Sequence, residues 1–252
     1  MAKFHIPTVA AEKITEIAGF PITNTIILTS IVMLFMIGLA VAVKSKFSMV
    51  PRGLQNLFEW IIEQTLGLTE GIFGTRQKAE KYLPFIATIF FFVLFSNWSG
   101  LLPGVGTLGV YEVHDGEKVF IPLLRAASSD LNFTLALAII TVLAVNIFGI
   151  AAIGFWKHAH KFINFSSPIA FFVGILELIS EVARMVSFSF RLFGNIFAGE
   201  VMLVIAAFFL PYILPVPLLA MEIFVGLIQA SVFAILAAVF TSIAISEHGE
   251  HH

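Results

Sequence analysis

The sequence predicts an all-α polytopic membrane protein with about five membrane helices. Apolar residues make up 59% of its 252 residues and charged residues only 12%, which is more apolar surface than a soluble domain of this size can bury. Five stretches are apolar enough and long enough to cross roughly 30 Å of hydrocarbon, which takes about 20 helical residues. These observations predict one membrane domain over 1–252, surrounded by lipid.

The first span is predicted over 20–43, followed by an amphipathic helix over 50–73. The residues before the first span include Glu12, Lys13 and Glu16 and do not resemble the short basic start of a signal peptide, so we expect this helix to be retained. The segment 50–73 is too polar to span, but its apolar residues recur at helical spacing. We expect it to lie along the inner membrane surface or against another subunit.

The second and third spans are predicted over 83–100 and 131–156. A glycine and proline cluster from Asn97 to Gly104 ends the second span, and Trp98 there is expected to be an interfacial anchor. Lysine and arginine dominate the connections before the second span and after the third, whereas acids outnumber them between the two spans. This distribution places the N-terminus outside and the C-terminus inside.

The last two spans are predicted to form a steeply tilted helical hairpin over 166–210 and 218–246. A continuous helix over some 43 residues of the first segment would be about 64 Å long, twice the hydrocarbon thickness. It must therefore either break near Gly194 or Gly199 or lie steeply tilted. A proline-rich turn around Pro215 then reverses the chain.

Ionisable residues recur along the first helix of this hairpin. Glu177, Arg184 and Arg191 are seven residues apart and therefore share one face, close to Glu181 and Asn195. Glu200 lies nine residues after Arg191, on the opposite side of the helix. Because a charge at the bilayer midplane costs roughly 3 kcal/mol, such residues indicate an ion or proton pathway.

The last helix carries two further polar residues at the same spacing, Glu222 and Gln229. If the two helices pack as a hairpin, Glu200 and Glu222 can share a polar cavity. Small residues recur every four positions beside them and allow another helix to approach closely. These small residues are Gly226, Ala230 and Ala234.

These motifs resemble subunit a of the F-type ATP synthase. The resemblance rests on Arg191-Leu-Phe-Gly-Asn195 followed by Ala198-Gly-Glu200, on Glu177 fourteen residues before the arginine, and on the Glu222 and Gln229 pair. It extends to the five-span plan and to the segments 97–103 and 129–134. It implies a subunit of an energy-transducing membrane, either the bacterial inner membrane or, as the alternative, the mitochondrial inner membrane.

The resemblance implies a non-catalytic stator of the Fo motor. Two offset half-channels would carry protons to and from the carboxylates of a rotating c-ring, beside b-type peripheral stalk subunits, with the F1 head coupled indirectly. Arg191 would separate the half-channels, with Asn195 and Gln229 at the junction. The outer half-channel would use Glu200, Glu222, Asn97, Asp130 and Asn132. The inner half-channel would use Glu177, Glu181, Arg184 and Ser187.

An arginine suits the barrier position because its guanidinium does not titrate in proteins and cannot relay a proton. At roughly 4 Å and an effective dielectric constant of about 20, it attracts a carboxylate by about 4 kcal/mol. A proton crossing about 100 mV carries around 2.3 kcal/mol, so a tight pair would stall the ring. We therefore expect a loose, hydrated contact between Arg191 and the ring carboxylate.

Several residues have structural alternatives to these roles. Arg191 could form an ion pair with Glu177 or Glu181, and Arg184 could form an intrahelical pair with the same two acids. Asp130 and Asn132 could cap the third span, and Gln229 could join two helices by a hydrogen bond. His248, His251 and His252 could bind a metal or simply be solvated.

Other classes of protein fit the sequence less well. A secondary transporter predicts an internal repeat, and the charged hairpin has no counterpart before residue 131. An intramembrane hydrolase predicts a nucleophile or zinc motif, which is absent, and the chain has no cysteine. A passive scaffold explains the small residues but not the charges. We therefore expect no metal, no other cofactor and no nucleic acid partner; the expected ion is the proton, with sodium as the alternative.

Overall fold

The computed structural model describes residues 8–17, 19–45, 53–114, 117–162, 167–211 and 213–246. Its elements, in chain order, are β1 (Lys13–Ile17), β2 (Phe20–Thr23), α1 (Asn24–Ser45), α2 (Leu54–Phe73), α3 (Arg76–Ser99), β3 (Gly109–His114), β4 (Glu117–Pro122), α4 (Leu131–Ile153), α5 (Phe155–Phe162), α6 (Pro168–Phe209) and α7 (Pro215–Ile245). Within these ranges, five helices are long and apolar enough to cross a membrane, namely α1, α3, α4, α6 and α7. The predicted all-α polytopic fold is confirmed.

Helices α3, α4, α6 and α7 pack around a shared apolar core. Buried side chains from each of them meet there, including Val93 of α3, Ala138 of α4, Leu192 of α6 and Phe233 of α7. Helix α2 packs against α3 and α7, whereas α1 contacts this group mainly through α3. Most of the surface of α1 is consequently exposed and apolar, as expected of a helix that contacts lipid.

The small residues of α7 pack against α3. Ala230 and Ala234 are buried, and Gly226 lies beside the side chains of Asn97 and Trp98. The Asn97 side-chain amide donates a hydrogen bond of 3.0 Å to the Gly226 carbonyl. The Trp98 indole N–H donates one of 3.0 Å to the carbonyl of Ile223, so the residue expected to anchor the chain at the membrane interface joins two helices.

Helix α6 runs without interruption for 42 residues, so the predicted alternative of a break at Gly194 or Gly199 is wrong. Ser167 caps it by accepting a hydrogen bond from the Ala170 N–H, and Pro168 occupies the first turn, where its missing N–H is tolerated. Helix α7 begins at Pro215, three residues before the predicted start at 218. Like Pro168 in α6, Pro215 can occupy the first turn of a helix because the N–H it lacks is not needed there.

The observed ends of α2, α3 and α4 also differ from the predicted ends. The third span ends at Ile153 instead of 156, because Gly154 has a φ of 89° and separates it from the short helix α5. Helix α3 begins at Arg76, well before residue 83, since a helix can continue beyond its apolar segment. The amphipathic helix begins at Leu54, and residues 50–52 lie outside the described part of the chain.

Two antiparallel β-hairpins, β1–β2 and β3–β4, were not predicted. Residues 20–23, predicted as the start of the first span, form β2 instead. The fully buried Asn24 joins the two hairpin regions, because its side chain donates a hydrogen bond of 3.2 Å to the Pro122 carbonyl. The N-terminal segment and the connection between α3 and α4 therefore lie together at one end of the helices.

Candidate functional site

A cavity of about 360 Å³ lies where α3, α6 and α7 meet the connection between α3 and α4. Its wall is mainly apolar, but Asn97, Arg125, Glu200 and Glu222 contribute polar side chains. We call it the acidic cavity and define it by these four residues. The prediction that Glu200 and Glu222 share a cavity is confirmed, although most of the cavity wall is apolar, and Asn97 also lines it.

Glu222 lies directly against the backbone of α6 at Gly199. A Cβ atom at this glycine would overlap Oε1 of Glu222 and lie 2.8 Å from its carboxyl carbon. Glycine is therefore what lets the carboxyl group fit between α6 and α7. Oε1 of Glu222 is buried and has no hydrogen-bond partner among the described residues.

Glu200 is paired with Arg125, a residue that the sequence analysis did not select. Nε of Arg125 lies 3.3 Å from Oε1 of Glu200, and Nη2 lies 3.4 Å from Oε2. Arg125 is only 3% exposed. One feature of the sequence indicated a role for Arg125: it is one of two cations in the otherwise acidic connection between the second and third spans. The acidic cavity thus contains two carboxyl groups and one guanidinium group.

Asp130 and Asn132 do not line the acidic cavity. Asp130 is the N-cap of α4 and accepts a hydrogen bond of 3.0 Å from the Asn132 N–H, so the capping alternative is confirmed for Asp130 but not for the Asn132 side chain. Its second carboxylate oxygen accepts a hydrogen bond of 3.1 Å from the Thr25 hydroxyl. The Asn132 side chain is exposed on the surface of α4.

Arg191 lies on an exposed face of α6, away from the acidic cavity. Its Nη2 is 3.4 Å from the Ser187 hydroxyl, and the Asn195 amide donates a hydrogen bond of 2.9 Å to the Arg191 carbonyl. It forms no ion pair with a carboxylate in the described ranges, so the alternative of a structural pair with Glu177 or Glu181 is wrong. Exposed apolar side chains of the same helix, including Val186 and Phe190, lie near Arg191 in the chain together with the polar Ser187 and Asn195.

Gln229 is partly buried on α7. It makes no hydrogen bond to any residue whose structure is described, so the interhelical hydrogen bond considered for it does not form there.

A second polar site lies toward the start of α6. Arg184 contacts Glu181 at 2.8 Å and Glu177 at 3.3 Å, which confirms the intrahelical pair considered in the sequence analysis. Lys161 of α5 approaches Glu177 at 2.7 Å. We call these four residues the charge cluster. Lys161 was missed as a site residue because only the packing of α5 on α6 brings it to Glu177.

His158 of α5 lies beside the charge cluster and was also missed. It is 4% exposed, and its Nε2 is 3.0 Å from the side-chain oxygen of Asn146 on α4. Burial lowers the pKa of His158 below its ordinary value, and the positive charge of Lys161 lowers it further, while Glu181 opposes the shift.

No group of three metal-ligating side chains occurs in the part of the chain that the structure describes. The terminal histidines His248, His251 and His252 lie outside that part, so their metal-binding alternative stays a prediction.

The fold and these sites define a class: a multi-pass helical membrane protein that holds ionisable side chains at separate places along its membrane helices. The family model described as ATP synthase A chain matches residues 24–242. The chain belongs to the ATP synthase subunit a family, and it is therefore a membrane subunit of the Fo part of that complex, with a role in ion transport and ATP synthesis.

Relatives of similar length support this assignment. The ATP synthase subunit a of Gloeobacter violaceus is 36% identical over 229 residues, which cover 91% of this chain and 86% of the relative. The subunit a of Campylobacter concisus is 36% identical over 226 residues, with 88% and 89% covered. That of Moorella thermoacetica is 32% identical over 237 residues, with 94% and 96% covered.

Proposed function

We propose that this chain is the non-catalytic stator of the Fo motor and provides two offset half-channels for protons. The half-channels carry protons to and from the carboxylates of a rotating c-ring and so couple proton flow to ATP synthesis. The partners are the c-ring, b-type peripheral stalk subunits and, indirectly, the F1 head. The proposed location is the bacterial inner membrane, because the relatives reported above are bacterial. The mitochondrial inner membrane is the alternative.

The observation that carries this proposal is the arrangement of polar sites along the uninterrupted helix α6. The charge cluster lies near its start, the acidic cavity lies further along, and Arg191 lies between them on the side of the helix opposite Glu200. Glu177 and Arg191 are 14 residues apart, which is about 21 Å along the helix. Two polar sites that are offset in this way suit an entry path and an exit path that do not connect directly.

Arg191 is proposed as the barrier between the two paths, with Asn195 and Gln229 at the junction. It is exposed on an apolar face and has no carboxylate partner in the described ranges, so a carboxylate of a neighbouring rotor subunit could approach it. Its fixed charge attracts that carboxylate but cannot relay the proton.

The acidic cavity is proposed as the outer entry, lined by Asn97, Glu200 and Glu222. Asp130 and Asn132, predicted for this path, have contacts that support capping of α4 instead. The inner exit is proposed to pass the charge cluster, with Glu177, Glu181 and Arg184 from α6 and Ser187 next to Arg191. Lys161 adds a cation to that exit.

The test is ATP-driven proton pumping in inverted vesicles that carry the assembled complex. We expect Arg191→Ala to abolish pumping while assembly and ATP hydrolysis by the head persist, because the barrier charge is lost. We expect Arg191→Lys to lose most pumping as well, since an ammonium group can exchange protons and lacks the planar guanidinium geometry.

Pumping by Arg191→Ala at the native rate would contradict the proposal. Ile205→Ala provides a matched control because Ile205 is an exposed side chain of the same helix and has no proposed role. It should pump at close to the native rate.

A further inference from the structure

The acidic cavity contains two carboxyl groups with different surroundings. Among the described residues, Glu200 has a cation beside it and Glu222 has none. We propose that Arg125 is a positioning residue that acts as the fixed counter-cation of Glu200, so that Glu222 is the carboxylate on which an entering proton resides. This inference rests on the proposed function and assigns separate roles to the two acids.

Arg125 is fixed in place by contacts with the distant residues Thr8 and Ala10 and with the nearby Ser129. Its Nη2 donates hydrogen bonds to the Thr8 carbonyl at 2.7 Å and to the Ser129 carbonyl at 3.4 Å. Its Nη1 donates one of 3.4 Å to the Ala10 carbonyl. These contacts and its 3% exposure hold the guanidinium in place, and its Nε and Nη2 face Glu200.

The contact between Arg125 and Glu200 is an ion pair with one long hydrogen bond, of 3.4 Å from Nη2 to Oε2. Nε lies 3.3 Å from Oε1 of Glu200, but its N–H does not point at the oxygen closely enough for a hydrogen bond. A buried charge is costly unless it is paired, and this contact supplies the pairing for both residues. Glu200 therefore has its negative charge offset by a cation that cannot itself give up a proton.

Glu222 has no such partner. Its Oε1 is buried against Gly199 without a hydrogen-bond donor in the described ranges, and Arg125 pairs with Glu200 instead. A proton that arrives from outside as hydronium would leave water behind and bind to the Glu222 carboxylate. The same proton would then pass to a carboxylate of the rotor, which restores the charge of Glu222, while Arg125 and Glu200 keep theirs.

The test compares ATP-driven proton pumping by four variants of the assembled complex: Arg125→Gln, Glu200→Gln, the double variant and Glu222→Gln. Arg125→Gln leaves the partly buried Glu200 without its cation, and Glu200→Gln leaves the buried Arg125 without its carboxylate. We expect each to lose at least about tenfold in pumping. The double variant removes both charges and should recover to within about threefold of the native rate. Glu222→Gln should lose pumping completely because it removes the proton-binding group.

A purely structural role of Arg125 gives a different pattern. If Arg125 only holds Thr8 and Ala10 in place, removing Glu200 cannot restore what Arg125→Gln loses, so a double variant no better than Arg125→Gln would overturn the inference. Arg125→Lys keeps the charge and should retain more pumping than Arg125→Gln. ATP hydrolysis and the amount of complex in the membrane report assembly for every variant.

A second comparison requires no change at Arg125. If Glu200→Gln abolishes pumping and Glu222→Gln does not, the roles of the two acids are reversed and the inference fails. This comparison can be made even if the complex with Arg125→Gln does not assemble. The proposed function has its own readout: Arg191→Ala must abolish pumping. Loss in Arg191→Ala without recovery in the double variant rejects only the role of Arg125, whereas native pumping by Arg191→Ala rejects the stator proposal itself.

Discussion

Arg184 and Arg191 are the same residue type seven positions apart on one helix, yet their surroundings differ. Arg184 pairs with two glutamates and its guanidinium lies 4.7 Å from the centre of the Phe240 ring. Among the described residues, the Arg191 guanidinium has only the Ser187 hydroxyl as a hydrogen-bond partner. The difference arises because acids lie three and seven residues before Arg184, whereas none occupies those positions before Arg191.

His158 should make the stability of the chain depend on pH. Because its pKa is lowered in the folded state, the unfolded chain binds more protons, so its contribution to stability is present above pH about 6.5 and lost as the pH falls through the folded pKa. We expect the thermal midpoint of the detergent-solubilised chain to fall on acidification, and to fall less in His158→Gln. Circular dichroism measured from pH 8 to pH 5 checks this.

His160 provides the control for that measurement. It lies two residues further along α5 and is exposed, so His160→Gln should keep the native pH dependence. An equal loss of pH dependence in both variants would contradict the role given to burial.

The sequence predicted the site residues whose spacing along one helix was informative and missed those whose partners are distant. Glu200 and Glu222 were found because acids in apolar helices are unusual. Arg125, by contrast, reaches Glu200 across 75 positions, and its contacts with Thr8 and Ala10 depend on how the N-terminal segment folds back. No periodic pattern encodes such contacts.

At the scale of elements, the five long helices were predictable because each is an apolar run of sufficient length. Helix α5 was not, since its eight residues include two lysines and two histidines and are too few to establish a period. The β-hairpins were missed because residues 20–23 were assigned to the first span and the connection between the second and third spans was interpreted only from its charge. Short strands acquire their pairing from contacts that a local pattern does not specify.

The junction of α4, α5 and α7 should not tolerate a larger residue at Gly149. A Cβ atom there would lie 2.7 Å from Cε1 of His158 and 3.0 Å from the Ala244 carbonyl oxygen, so the backbone or the ring must move. We expect Gly149→Ala to lower the free energy of unfolding by about 1–3 kcal/mol. Thermal unfolding of the purified chain in one detergent measures the effect.

Gly38→Ala is the matched substitution for Gly149→Ala. It lies within α1, and a Cβ atom there would meet no other atom within 4 Å. Replacing a glycine in a helix with alanine should leave stability unchanged or raise it by up to about 1 kcal/mol. If Gly149→Ala is as stable as Gly38→Ala, the close packing of α5 at this junction is contradicted.

At the scale of the whole molecule, the orientation inferred from lysine and arginine can be tested directly. Because the chain contains no cysteine, an introduced cysteine is its only thiol. A membrane-impermeant thiol reagent should label Thr107→Cys, at the edge of the acidic cavity, in right-side-out vesicles. It should label Trp156→Cys, whose native side chain is 83% exposed at the start of α5, in inverted vesicles.

Leu143→Cys controls for leakage of the reagent. Leu143 is an exposed apolar residue in the middle of α4, where lipid should shield it from either side. Labelling of Thr107→Cys only in inverted vesicles would reverse the proposed orientation, and with it the assignment of entry and exit.

The uninterrupted length of α6 also determines how deep its charges lie. At 42 residues the helix is about 63 Å long, so fitting it within roughly 30 Å of hydrocarbon requires an inclination of about 60° from the membrane normal. Each residue then changes depth by only about 0.75 Å, and Glu177 and Glu200 differ in depth by about 17 Å. That difference is little more than half the hydrocarbon thickness, so the helix alone cannot bring both acids to opposite surfaces. Water must penetrate the membrane to meet them.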